Sequence, residues 1–281
     1  MMKLLRAGFR RYFKNILFWI SLTVSAVIGL ASGKSAYDNA MVDDIYVIIG
    51  FIVFAVLIAL MVGREFSDGG FRNKITLGHT KGKIFISEYI VALCVCLILF
   101  FISAGFFILL NISNMKKILP ELLTKASIGY ILFTISMITI IFTTSVLISR
   151  KAITVVTTLI LVLGLYIVAC ELDTALSIPE YQQVIDWVDG KPVLTQEYVK
   201  SKNYIDSPMR ENLIFLFNII PSGQSIQYYK MIKPLLNPNN IIIFISEEKM
   251  QLLNTLPYYS AGTILTLLSG AYIAFRKKDF I

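Results

Sequence analysis

Charge is scarce in this chain. Of 281 residues, 16% are Asp, Glu, Lys or Arg, while 56% are hydrophobic. Soluble domains carry about a quarter charged residues, so this composition excludes a water-soluble globular fold. Histidine is nearly absent too. The single one, His79, has no cluster of Asp, Glu or Cys at metal-ligand spacing around it, which leaves no metalloenzyme centre to assign. Cysteine is confined to Cys94, Cys96 and Cys170, each inside or at the end of an apolar run, so a disulfide framework is not expected. On a helix Cys94 and Cys96 point about 200° apart and cannot converge on one metal. A phosphate-cradling loop is missing as well. The nearest approach, Gly78-His79-Thr80-Lys81-Gly82-Lys83, has the wrong glycine spacing, has Ile84 where Ser or Thr would hold magnesium, and follows no hydrophobic strand.

What is present is hydrocarbon. Apolar blocks at 16–32, 45–63, 84–110, 128–149, 152–170 and 258–275 are each long enough to cross a bilayer core of about 30 Å as helices. None alternates strictly, as a barrel strand would, so helices are the available way across. The expected fold class is an all-α membrane protein with six transmembrane helices. The blocks are almost free of charge: Glu88 and Glu171 read as boundary residues near their ends. Their polar content is mainly Ser and Thr, as in 134–145 and 154–158, which suits close helix packing and hydroxyl bonds to helix carbonyls. A coupled secondary transporter is expected to keep charged or broken-helix sites at mid-membrane, and none is legible.

Lys and Arg fix the orientation. Lys3, Arg6, Arg10, Arg11 and Lys14 precede the first block. Arg64, Arg72, Lys74, Lys81 and Lys83 lie between the second and third, Arg150-Lys151 between the fourth and fifth, and Arg276, Lys277 and Lys278 after the last. The loops of the other side hold only Lys34, Lys116, Lys117 and Lys125 before the fifth block ends. The positive-inside rule puts both termini in the cytoplasm of a multi-pass plasma-membrane protein. The basic pI of about 9.3 is therefore an orientation signal, with no nucleic-acid partner implied. Residues 1–15 read as a cytoplasmic amphipathic helix lying in the membrane interface. Its cations face headgroups, and Leu5, Phe9, Tyr12, Phe13 and Ile16 face lipid. The first block is longer than a secretory h-region and reads as an uncleaved span. Residues 171–257 form a large extracytoplasmic loop. It holds most of the chain's eight prolines and two apolar runs, 212–220 and 241–246, too short to span and suited to a small folded cap or re-entrant elements.

The most informative polar segment is the inner loop at 64–83. Gly69-Gly70 would end the second span and let the chain run along the membrane surface. Phe71, Ile75 and Leu77 offer apolar contact there, with Arg72, Asn73 and Lys74 as polar partners. The order Glu65, Asp68, Gly69-Gly70, Phe71-Arg72-Asn73-Lys74, Gly78 and Lys83 resembles the first cytoplasmic loop of type-2 ATP-binding-cassette (ABC) exporter permeases. In those proteins the second span ends in an acidic residue, and a short helix with an Arg leads to a Gly and a basic residue. The closing Phe275-Arg276-Lys277-Lys278-Asp279-Phe280 is similar to the way such permeases finish. Thr80-Lys81 departs from the pattern, where many relatives have an Arg after a small residue, and the outer loop is longer than many carry.

The resemblance spans the whole chain as one permease domain, 1–281, with 64–83 as the coupling loop. It implies a transport subunit with no nucleotide site and no cofactor of its own, ATP and magnesium being held by a separate cytoplasmic ABC ATPase. It implies docking to that ATPase through Glu65, Asp68, Gly70, Phe71, Arg72, Asn73, Lys74, Ile75 and Gly78. The other expected partners are membrane lipids and a second permease, identical or homologous. A lining of Ser, Thr, Phe and Ile suggests a hydrophobic or amphipathic substrate, a peptide or drug, moving outward. The rival from another class is a non-transporting scaffold or sensor whose loop docks a signalling partner. A membrane-embedded enzyme lacks any convergent catalytic set.

Overall fold

The computed structural model describes residues 1–38, 44–115, 118, 120–188, 191–236 and 247–279. In chain order the elements are α1 (Met2–Phe13), α2 (Ile16–Asp38), α3 (Asp44–Ser67), α4 (Gly70–Thr76), α5 (Lys81–Met115), α6 (Pro120–Leu147), α7 (Lys151–Leu176), β1 (Tyr181–Val188), β2 (Lys191–Lys200), α8 (Met209–Ile219), α9 (Pro221–Leu236) and α10 (Glu247–Lys277). Among the described residues five helices, α2, α3, α5, α6 and α7, are long and apolar enough to cross a membrane, as befits a multi-pass membrane protein. They hold the first five apolar blocks of the sequence, the fourth running two residues past the end of α6 at Leu147. The sixth block lies inside α10, a 31-residue helix whose middle carries Tyr258, Tyr259, Ser260, Thr263, Thr266 and Ser269 and is less apolar than the other five.

The long helices pack in pairs, α2 along α5, α10 along α6, and α3 along α7 and α6. The core they share is aromatic and aliphatic. Phe51, Phe54, Phe133 and Phe142 are buried in it with Leu57, Met61 and Met137. Thr134, Thr139, Thr144 and Ser145 on α6 each donate their hydroxyl to the carbonyl four residues earlier, and the Thr139 hydroxyl also meets that of Tyr89 on α5 at 2.9 Å.

One end of the bundle gathers the basic segments: the end of α3, α4, the start of α5, the turn from α6 to α7 and the end of α10. Lys278 closes this end by donating to the carbonyls of Val146 and Leu147, at 3.2 and 3.0 Å, where α6 finishes and its backbone dipole is negative. Lys81 donates in turn to the carbonyls of Arg276 and Lys278.

The segment 171–257 is built differently from a purely helical loop. Its first residues continue α7 to Leu176 and its last, from Glu247, belong to α10; after α7 comes an antiparallel hairpin, β1 against β2, whose register shifts between Gln183 and Ile185. It continues through α8, over the predicted apolar run 212–220, into α9. The second apolar run, 241–246, lies outside the described residues.

Helix α9 is polar in sequence yet buried, with Ser222, Gln224, Ser225, Gln227 and Tyr228 all enclosed. It touches α2, α3, α5, α6, α7 and α10. Burying such groups costs free energy unless they are hydrogen-bonded; the Ser222 and Tyr228 hydroxyls have no partner among the described residues, whereas the other three side chains do. Gln224 donates to the Asn218 carbonyl at 2.7 Å and accepts from Ser260 on α10 at 2.5 Å. Ser225 donates to Ser222 and Gln227 to Gly223 within the helix.

A buried charge cluster beneath the short helix

The sequence pointed to residues 64–83, and the structure makes a short helical step of them between α3 and α5. Gly69 caps the start of α4 in the left-handed region, φ 68°, and Gly78 follows its end at φ 85°, conformations that side-chain-bearing residues resist. Between these two glycines α4 is only seven residues long. Gly70 has a second reason to lack a side chain. A Cβ there would meet the Glu65 carboxylate at 2.5 Å, so glycine lets that carboxylate pass beneath the helix.

Two faces of α4 have different fates. Phe71 turns inward and is 1% exposed. Its ring lies 4.6 Å from that of Phe66 and 5.5 Å from that of Phe275, which in turn meets Phe85. Phe71 was expected on the docking surface; it instead anchors α4 to α3 and α10. Ile75 is half-buried on the same side, while Arg72, Asn73, Thr76, Leu77 and Gly78 are exposed. Asp68 is exposed at the turn and accepts from Ser67.

Lys74 is engaged within the chain. Its Nζ lies 2.5 Å from Glu65 and 2.6 Å from Glu88. Arg11 of α1 reaches the same two carboxylates, Glu88 at 2.6 Å and Glu65 as well. Glu65 and Glu88 are 8% and 4% exposed. Four elements, α1, α3, α4 and α5, thus meet in one neutral cluster of two carboxylates and two cations. Desolvation pulls the Lys74 ammonium below the usual lysine range, outweighing the attraction of Glu88. Glu88, read from sequence as a boundary residue, is the centre of the cluster.

Helix α1 is also rearranged relative to expectation. Tyr12, expected in lipid, is fully buried with Leu4 and Gly8 against the bundle. It sits there because Gly8 brings α1 close enough for the Val91 side chain of α5 to fill its missing Cβ. Leu5 and Phe9 are half-buried, and Phe13 and Ile16 remain exposed.

Sequence reading missed Arg11 and Glu88 as partners because they are separated by 77 residues. The available signal was the oddity of a carboxylate one turn inside an apolar block, which demands a cation. Among the described residues no group of three His, Cys, Asp or Glu side chains converges as a metal site. The cluster's chemistry is fastening, with no reacting group presented to solvent. No protein-family model and no curated protein matches this chain.

Proposed function

We propose that this chain is the membrane-spanning subunit of an ABC exporter, driven by a separate cytoplasmic ATPase that docks on α4. The observation that carries the reading is the two-sidedness of α4. Its inner face is pinned by Phe71 and Lys74, and its outer face offers Arg72, Asn73, Thr76 and Leu77, the last 77% exposed. A short helix fixed this firmly to α1, α3, α5 and α10 transmits a push from below to four helices at once. The resemblance of residues 65–83 to the coupling loop of type-2 exporter permeases supports the same reading. On this view α10 is the sixth crossing, both termini are cytoplasmic, and 171–257 is extracytoplasmic. The exporter is completed by a second copy or a homologous permease, and the cargo is hydrophobic or amphipathic. ATP and magnesium belong to the partner.

The test is site-directed crosslinking in native membranes. A photoreactive residue at Leu77 should capture a soluble ATPase subunit, and one at Tyr198 on the hairpin should not. Capture of a kinase or an anti-sigma protein at Leu77, with no ATPase, would favour the scaffold reading instead.

A further inference from the structure

The α1 face that turns away from the bundle carries charge with no partner. Lys3, Arg6, Arg10 and Lys14 are all exposed and form no ion pair among the described residues, and they recur at helical spacing along one side. Arg11 alone is diverted inward to Glu65 and Glu88. Beside the cationic ridge runs a shallow apolar groove lined by Met2, Leu5 and Phe9, with the stems of Arg6 and Arg10 as its shared wall. Exposed Phe13, Ile16 and Trp19 continue the apolar shoulder towards α2. The Trp19 indole N–H donates to the Phe13 carbonyl at 3.0 Å, which fixes an aromatic marker of the membrane–water boundary next to the ridge.

We infer that this face of α1 is a binding surface for anionic phospholipid, the ridge taking the phosphate headgroup and the groove the first part of an acyl chain. Charge complementarity selects an anion. The adjoining apolar groove selects one attached to hydrocarbon, which free phosphate does not supply, and Trp19 beside it marks the bilayer edge, where that hydrocarbon is a lipid's. Cations of this kind at a membrane surface each favour anionic lipid by about fivefold. The inference does not depend on an ATPase docking at α4.

The experiment uses the full chain in a neutral detergent, with bound lipid counted by native mass spectrometry. Phosphatidylglycerol and phosphatidylcholine of equal chain length are offered together. The parent should retain phosphatidylglycerol preferentially, by about tenfold or more. Lys3→Gln, Arg6→Gln, Arg10→Gln and Lys14→Gln together should abolish the preference. Lys34→Gln, Lys125→Gln, Lys200→Gln and Lys202→Gln, away from α1, should leave it intact. If the fourfold α1 variant does not fold, Arg6→Gln with Arg10→Gln should still cut the preference about tenfold or more. Equal retention of the two lipids by the parent overturns the inference, as does a preference that survives the α1 changes. Full displacement of the lipid by millimolar inorganic phosphate also overturns it, because the site would then be one for a bare anion.

Discussion

Lys74 Nζ, on the short helix α4, sits 2.6 Å from Glu88 Oε1 on the long helix α5. The pair is mostly enclosed, and Glu65 and Arg11 complete its charge balance. Removing one member of a buried set leaves an uncompensated charge, which typically costs about 3 kcal/mol. Lys74→Ala should therefore lower the thermal unfolding midpoint of the detergent-solubilised protein clearly. Lys74→Ala combined with Glu88→Gln should recover much of the loss. An additive double variant would show that the two side chains do not act as a pair.

The two faces of α4 should separate stability from coupling. Phe71→Ala opens a cavity among Phe66, Phe275 and Lys74 and should destabilise the fold by about 3 kcal/mol. Arg72→Ala with Leu77→Ala removes only exposed groups, so unfolding should be unchanged within about 0.5 kcal/mol. The same pair should weaken ATPase retention during purification by about thirtyfold, or uncouple hydrolysis from export. Wild-type retention and export by this variant would remove α4 as the docking element.

Tyr12 is fully buried and its hydroxyl has no hydrogen-bond partner among the described residues. Burial holds its proton on in the folded state, well above the ordinary value of 10.0. As pH rises through 10.0 the unfolded chain sheds this proton while the folded chain keeps it. The tyrosine's contribution to stability then falls with rising pH. Tyr12→Phe should be about 1 kcal/mol more stable at pH 7, and its advantage should widen at pH 10.5. Thermal unfolding at the two pH values checks both parts.

Gly129 on α6 lies against the hydroxyl of Tyr228, the aromatic of α9 that stacks on Phe133 at 5.8 Å. A methyl at 129 has no room unless that ring moves. Gly129→Ala should cost about 2 kcal/mol by overpacking. Adding Tyr228→Leu, which withdraws the obstructing ring carbons together with the oxygen, should restore part of it. No cost in the single variant would mean that α9 is not seated against α6 as described.

How much of this was legible depended on range. The long helices were readable because apolar length is a local property, and α2, α3, α5, α6 and α7 each hold the block that predicted it, to within two residues at the end of α6. The step at Gly69-Gly70 was readable for the same reason, as backbone freedom belongs to the glycines themselves. Which way Phe71 points was not, because Phe275 lies two hundred residues further on. The hairpin was missed although Asp189-Gly190, a strong turn signal, stands between its strands. The irregular register at Gln183 and Ile185 breaks the alternation that would have drawn attention to it. Helix α9 hides for the opposite reason. Ser222, Gly223, Gln224, Ser225 and Gln227 resemble a solvated loop, and only the surrounding helices make them interior.

Helix α1 carries two populations of cation that ionic strength should distinguish. Lys3, Arg6, Arg10 and Lys14 face outward, where charges more than about 8 Å from their counterparts are largely screened at physiological salt. Arg11 faces two enclosed carboxylates at contact distance, where salt ions scarcely enter. Raising the salt concentration therefore loosens what the outer face holds and leaves the inner fastening of the same helix in place.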